Sequence, residues 1–377
     1  MAVSKPTAGL LAAAAGIAVA WLLTEAPVFF GLADYQNVTW LSNDRYDPVL
    51  LKIHRPHAQL HGSALGGIFT GTFQIPQSQM SHYQWDLRYD HNGFRNDADL
   101  DRADVVFLGA SFVEAMAVPD QQITTSLVAR QTGTVVANFG QNAFSQQQDL
   151  IVLQRYALPL HPRVVIWMFT DYTDLRQVLY YRKLMQDSSG FWPSFFQRSF
   201  TRFAYKQVEP YLHPASKPDG TLRWGEVTDA RGEPVRIYFL HPGQPLSRET
   251  IGAVEATRAI LRQALDLSAA QGARLVVVYI PGPYRVFQPF ARFAPDSPCR
   301  QWVVNDEPQR IEAAARSLSP EVGYLDLTPA MREAVSKGIV PYFTDDLHWS
   351  PVGHQLAAAA IAQYLENAGI VSPANGQ

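Results

Sequence analysis

Apolar positions along the chain fall into three patterns. The first is an unbroken run from Leu10 to Leu23, LLAAAAGIAVAWLL, preceded by Lys5 and with no acidic residue before Glu25. On its own the run is shorter than the roughly 20 residues that span a bilayer. Extension through Pro27, Val28, Phe29, Phe30 and Leu32 reaches a spanning length, with Thr24 and Glu25 in its far half. Three readings stay open. A single amino-terminal anchor with the remainder outside fits the positive charge at the amino end. A cleaved signal peptide fits the length of the apolar core, with Gly31-Leu32-Ala33 as a small-x-small site. A buried amino-terminal core helix is the third. The first two export the chain, and with no second long run the residues from about 34 onward read as soluble.

The second pattern is a set of five short apolar runs: Val105–Leu108, Val135–Phe139, Val164–Phe169, Leu275–Ile280 and Tyr324–Leu327. They are mostly β-branched or aromatic, as expected of parallel strands covered on both faces. The third pattern is helical. Gln146–Ala157 and Glu249–Ala270 carry apolar residues at helical spacing, and Pro351–Ala368 opens with proline in its first turn. Strands alternating with helices predict βαβ units, hence an α/β fold, a three-layer α/β/α sandwich around a central parallel five-stranded sheet. Residues 34–100 are turn-rich and read as an amino-terminal extension. Residues 101–372 form the main domain, with a long insertion at 180–248. The insertion begins with an aromatic and basic stretch from Phe191 to Tyr211. It continues as a β-hairpin around Ala230-Arg231-Gly232, with strands near 222–228 and 234–240.

Composition narrows the function. With 47% hydrophobic and 17% charged residues the chain is not disordered. Lys and Arg total 31 against 34 Asp and Glu, a net charge of −3 without the clustered cations nucleic acid requires. One cysteine, Cys299, rules out an intrachain disulfide and a cysteine-built metal cluster. Its polar surroundings suggest an ordinary free thiol.

The candidate chemistry sits just past the strands. Gly109-Ala110-Ser111 follows the first one, which puts a hydroxyl at the carboxyl edge where open α/β sheets bind ligands. A serine needs a base, and His348 lies in a polar loop before the last helix, with Asp345 and Asp346 just upstream. A neighbouring carboxylate would fix the imidazole tautomer and stabilise the imidazolium. Gly140, after the second strand, offers a bare amide that a ligand can approach. Asp171-Tyr172-Thr173-Asp174 follows the third strand.

These four strand-end blocks, in this order, resemble the SGNH/GDSL hydrolase family, over residues 104–175 and 340–366. The family's Gly-Asp-Ser block is Gly109-Ala110-Ser111, its second-block glycine matches Gly140, its Gly-x-Asn-Asp block is Asp171-Tyr172-Thr173-Asp174, and its Asp-x-x-His block matches Asp345 and His348. The resemblance implies a flavodoxin-like fold and an acyl-serine mechanism without cofactor or metal. Ser111 is the nucleophile, His348 the base and Asp345 its orienting carboxylate. Related polysaccharide O-acetyltransferases use a spacing that selects Asp346 instead. The oxyanion hole would comprise the amides of Ser111 and Gly140 with Thr173, which replaces the family's asparagine, or with Asn142.

Other features weigh less. His354 reads as a structural helix residue. His54, His57 and His61 are broken up by Pro56 and do not suggest a metal site. Asn37-Val38-Thr39 is a glycosylation sequon whose meaning depends on the source. The 191–211 stretch fits packing of the insertion, an interfacial lid at lipid headgroups, or a sugar platform. Trp192, Phe195 and Trp349 are the candidate substrate-binding aromatics. The expectation is an extracytoplasmic serine esterase, membrane-anchored or secreted, acting on short acyl esters of envelope glycans or small esters. One alternative passes the same acyl group to a sugar hydroxyl as an O-acyltransferase. Another is a non-catalytic glycan-binding protein on a decayed scaffold, suggested by Ala110 and Thr173.

Overall fold

The computed structural model describes residues 5–35, 43–188, 190–212 and 223–371. The sequon at Asn37 lies outside the described residues. By internal packing the chain divides into a smaller unit, residues 1–54 and 184–215, and a larger one, residues 55–183 and 216–377.

The smaller unit contains helix α1 (Lys5–Phe29), the short antiparallel pair β1 (Asp44–Arg45) and β2 (Ile53–His54), and helices α6 (Phe191–Arg198) and α7 (Phe200–Leu212). α1 contains the expected apolar run, and its stretch Gly9–Phe29 is long and apolar enough to cross a membrane. Most of its large side chains, such as Leu10, Ile17 and Leu23, are exposed, so it is not a buried core helix. His54 is buried against Asp44, with Nδ1 2.7 Å from a carboxylate oxygen.

The larger unit opens with the antiparallel hairpin β3 (Gln59–Leu65) and β4 (His82–Arg88), so the turn-rich extension holds a strand pair. Alternating burial along β4 seats Tyr83, Trp85 and Leu87 inward, the period of a strand with one wet face. Then follow β5 (Val105–Gly109), α2 (Ser111–Glu114), α3 (Thr124–Thr132), β6 (Val136–Gly140), α4 (Gln146–Val152), β7 (Val164–Thr170) and α5 (Thr173–Ser188). After the smaller unit's helices come β8 (Trp224–Thr228), β9 (Pro234–Tyr238), α8 (Arg248–Ala270), β10 (Arg274–Ile280), α9 (Pro283–Phe287), α10 (Glu307–Arg316), β11 (Gly323–Asp326), α11 (Thr328–Ser336) and α12 (Pro351–Asn367). β8 and β9 are the expected hairpin.

The central sheet is parallel, in the order β11-β10-β7-β5-β6. Numbered along the sheet's own strands this is 2-1-3-4-5, the flavodoxin-like order, whose switch point lies between β5 and β7. Every residue of β5 and β7 is buried, which accounts for their unbroken apolar sequences. Val105, Phe107, Ile166, Met168, Val276 and Val278 share one core with Met331, Val335, Ile361 and Leu365 of α11 and α12. α3 packs with α12, and α4 and α10 pack with α8 in the opposite layer. The three-layer sandwich is therefore the fold.

Candidate active site

Ser111 begins α2 directly after β5. The turn into it depends on Gly109, whose φ is +146° and whose missing Cβ leaves room for Val113 and Met168, 2.9 and 3.1 Å from where that atom would lie. His348 comes from the loop before α12, 237 residues away. The topology brings them together: Ser111 Oγ lies 2.7 Å from His348 Nε2. His348 Nδ1 lies 2.7 Å from Asp346 Oδ1, and the His348 amide donates to the same oxygen at 3.1 Å. An ionised carboxylate only accepts, so Nδ1 carries the proton and Nε2 is free to accept from the serine hydroxyl. Burial pushes the Asp346 carboxyl up, but the charge and hydrogen bonds of His348 outweigh it, and its pKa ends below the usual value.

The carboxylate expected beside His348 was Asp345, and the geometry selects its neighbour. Asp345 is fully buried and points into the extension. It accepts from the Gly67 amide at 2.8 Å, the Ser81 amide at 3.0 Å and the Tyr83 hydroxyl at 2.9 Å. Its carbonyl accepts from the Phe69 amide at 3.1 Å. Burial, with the charges of Asp346 and Asp345, raises the Tyr83 pKa, so the phenol stays a donor. Gly67 permits this contact: an added Cβ would lie 2.4 Å from the Tyr83 hydroxyl and 2.5 Å from the Asp345 carbonyl oxygen. None of Gly67, Ser81 and Tyr83 carries a motif, and their only sequence signal is a glycine pair followed by an alternating strand.

The expected oxyanion donors separate into two groups. The Gly140 amide donates to its own strand's Asn138 Oδ1 at 2.9 Å, so it is occupied. What approaches Gly140 closely is α2, since an added Cβ would lie 2.3 Å from the Glu114 amide nitrogen. Asn142 is exposed, and its amide donates to the buried Glu114 carboxylate. The Ser111 amide, by contrast, is the first of α2 and has no acceptor within the helix. Thr173 opens α5 and lines a small pocket that also includes Phe112 and Leu347, the chain neighbours of Ser111 and His348.

Of the three candidate aromatics two are buried and one is exposed. Trp349 is fully buried, edge-on to Phe112 and His354, and is a packing residue. Phe195 is buried in the smaller unit, with its ring against Phe29, Phe191, Trp192 and Phe196. Trp192 is exposed on the same helix. His354 is structural, as expected: its Nδ1 accepts from the Thr124 amide at 3.2 Å, and burial pushes its pKa down to about 3.

Residues 240–376 match the family model described as SGNH hydrolase-like domain, acetyltransferase AlgX, a span that includes the His348 loop. The matched span is 137 of the 377 residues, and over it the chain resembles the SGNH hydrolases. A search of curated proteins finds no match. Similar solved structures include a lipase/acylhydrolase from Enterococcus faecalis, at 15% identity and TM-score 0.37 over 72% of this chain and 98% of that one. A GDSL-like lipase from Bacteroides thetaiotaomicron matches at 12% identity and TM-score 0.33, over 70% and 88%. The acetyl xylan esterase Est2A from Butyrivibrio proteoclasticus matches at 11% and 0.35, over 78% and 71%.

The third loop is held by a buried ion pair. Arg285 Nε donates to Asp171 at 2.6 Å, the Gly282 amide donates to the same carboxylate at 3.1 Å, and the Tyr172 amide donates to Glu307 at 3.0 Å. Tyr172 consequently sits at a φ of +66°. Its ring lies against His241, centroids 4.2 Å apart, with the Arg176 guanidinium 4.9 Å away. Burial, aided by Arg176, pushes His241 down to about 4, so it is neutral. Beyond this loop opens a cleft of about 760 Å³ lined by Tyr172, Thr173, Arg176, Tyr180, Lys183 and His241 among others.

Proposed function

We propose that Ser111, His348 and Asp346 cleave a short acyl ester through an acyl-serine intermediate. The observation that carries the reading is the unbroken chain from Ser111 Oγ through both nitrogens of His348 to Asp346, each link 2.7 Å. His348 takes the serine proton as Oγ attacks the acyl carbon, and Asp346 stabilises the imidazolium. The Ser111 amide and the Thr173 hydroxyl stabilise the developing oxyanion. His348 then returns the proton to the departing alcohol oxygen, which leaves the acyl group on Oγ. Water activated by the same imidazole releases the acid.

The small pocket beside Thr173 has a volume of about 60 Å³. A cavity needs only about 10–15 Å³ of such space per water, so this one suits an acyl group of a few heavy atoms. The 760 Å³ cleft supports a carbohydrate on the other side of the ester, with Tyr172 and Tyr180 offering rings and Arg176 and Lys183 donors. The same cleft favours a second reading, in which a sugar hydroxyl replaces water as acceptor and the enzyme is an O-acyltransferase. We further propose an extracytoplasmic catalytic domain tethered by α1, acting on acylated envelope glycans, with residues 1–33 as anchor and 101–372 as the catalytic region.

A fluorophosphonate probe and p-nitrophenyl acetate test the mechanism. Wild type should be labelled and turn over, and Ser111→Ala should do neither while keeping its melting temperature. Equal labelling of the two proteins refutes the reading. Acylated oligosaccharide formed when acceptor is supplied identifies transfer, and free acid alone identifies hydrolysis.

A further inference from the structure

α1 contains a carboxylate in the stretch that would cross a membrane. Glu25 is 3% exposed, yet its charge is satisfied. It accepts from the Thr201 amide at 2.7 Å, the Phe200 amide at 3.3 Å and the Thr201 hydroxyl. These are the first amides of α7, so Glu25 caps that helix and meets the positive end of its dipole. One turn earlier, Trp21 Nε1 donates to Thr201 Oγ1 at 2.7 Å. At the end of α1 the Phe29 ring packs edge-on against Phe191, centroids 5.1 Å apart. The Tyr35 amide donates to the Arg198 carbonyl at 2.9 Å. A leader destined for removal has no use for such partners in the mature chain, whereas α1 has polar and aromatic partners on both α6 and α7.

Apolar surface remains open around these contacts. Trp192 and Phe196 on α6 are 60% and 57% exposed, four residues apart, and Val208 and Leu212 on α7 are 47% and 61% exposed at the same spacing. Each pair lies on one helical face. α1 likewise carries exposed apolar side chains, and Arg198, Arg202 and Lys206 are interleaved with the stripes along α6 and α7. The depth can be worked out. Trp21 to Glu25 precede the end of α1 by four to eight residues, roughly 6–12 Å at 1.5 Å per residue. The hydrocarbon core is about 30 Å thick and the whole bilayer about 40–45 Å. The α7 amino terminus therefore meets α1 near the boundary of acyl chains and headgroups, where aromatic and basic side chains are favoured.

We propose that α1 is retained in the mature protein and that α6 and α7 lie beside it in the leaflet where α1 ends, with their exposed stripes against lipid. This rests on the anchor reading of α1. The test uses the full chain with single labelling sites, Leu22→Cys, Phe196→Cys, Val208→Cys and, as an aqueous control on α8, Ile251→Cys. Wild type serves as the blank because Cys299 is buried. Each protein carries an environment-sensitive fluorophore in phosphatidylethanolamine/phosphatidylglycerol vesicles, with doxyl lipid or aqueous iodide as quencher. Labels at 22, 196 and 208 should lose fluorescence to doxyl lipid and resist iodide, the label at 251 should do the reverse, and the intact mass should include α1. If only the label at 22 responds to lipid and 196 and 208 respond to iodide, the anchor stands and the inference about α6 and α7 falls. If 196 and 208 resist both quenchers, a protein covers the stripe and the lipid assignment is overturned. If the label at 22 does not respond to lipid, or the mass lacks α1, the anchor reading fails and the inference with it.

Discussion

Two adjacent carboxylates, Asp345 and Asp346, should respond to the same substitution in opposite ways. In Asp346→Asn the side chain keeps its shape but presents an amide to His348 Nδ1, now 2.7 Å from a carboxylate oxygen. An amide oxygen still accepts, but it carries no charge to stabilise the imidazolium, and a rotated amide imposes the wrong tautomer. The equivalent exchange in a serine protease lowers kcat by about 10⁴, which is about 5.5 kcal/mol of transition-state stabilisation. Asp346 is held below the usual carboxylate pKa, so it is ionised throughout neutral pH and the whole effect should appear there. In Asp345→Asn the loss falls on stability instead. Three donors, from Gly67, Ser81 and Tyr83, converge on that carboxylate. An asparagine can serve only part of them, and each buried donor left unpaired costs about 1–3 kcal/mol. The assay is p-nitrophenyl acetate turnover per fluorophosphonate-titrated site, with thermal melts on the same samples. Asp346→Asn should lose about four decades of kcat with little change in melting temperature. Asp345→Asn should melt lower and lose less than about tenfold in kcat, or about 1.4 kcal/mol. A larger kcat loss for Asp345→Asn than for Asp346→Asn refutes the assignment.

Gly67→Ala would place a Cβ 2.5 Å from the Asp345 carbonyl oxygen. Overpacking of this kind costs about 1–3 kcal/mol, and the expected result is a lower melting temperature together with reduced kcat; wild-type values for both would show that the extension does not seat the His348 loop. Thr173→Val removes the proposed oxyanion hydroxyl and should lower kcat by about 10²–10³, as loss of one such donor does elsewhere; an unchanged kcat at saturating p-nitrophenyl acetate removes Thr173 from the hole. Asp174 is buried, which lifts its pKa from 3.8 to about 7 against the hydrogen bond from the Thr170 amide. Its folded-state pKa is therefore raised, so it costs stability increasingly as pH rises from about 4 and fully above about 7. Asp174→Asn keeps an acceptor for Thr170 and should raise the melting temperature at pH 8 but not at pH 4; an equal change at both values, read by pH-dependent melts, contradicts the assignment.

The sheet was legible in the sequence because burial on both faces leaves nothing for a polar residue to do. β7 is apolar from Val164 to Phe169 for that reason, and each predicted strand differs from the observed one by a residue at most at either end. Ser111 and His348 were legible because their chemistry demands those residue types at strand and loop ends. Their partners were harder to read. Asp345 and Asp346 are neighbours, and which one turns toward His348 depends on where Gly67, Ser81 and Tyr83 pull the other, a contact across more than 260 residues. Gly140 did signal a close approach, but the approaching group is the backbone of α2. The aromatic stretch at 191–211 signalled an interface without naming its partner, because α1 reads alone as a leader or anchor and it takes the fold to bring Trp21, Glu25 and Phe29 against α6 and α7.

The fate of Asp345 also changes what the extension is for. A linker would leave the Asp345 carboxylate without its three donors. Here the turn at Gly67–Phe69 supplies an amide to each carboxylate of the pair, Gly67 to Asp345 at 2.8 Å and Ile68 to Asp346 at 3.4 Å, and Phe69 binds the intervening carbonyl. Phe69 is buried and also lines the small pocket beside Thr173. The same short turn thus fixes the orienting carboxylate and forms a wall of the proposed acyl site. Substitutions that alter the acyl pocket through this turn would also disturb the base, so acyl preference and catalytic power are mechanically linked on this side of the site. The loop after β7 is held instead by Asp171, Arg285 and Glu307, away from the carboxylates beside His348. Changes of acyl specificity should therefore be tolerated at Tyr172 and His241, which line the same pocket and take no part in the proposed mechanism, more readily than at Phe69.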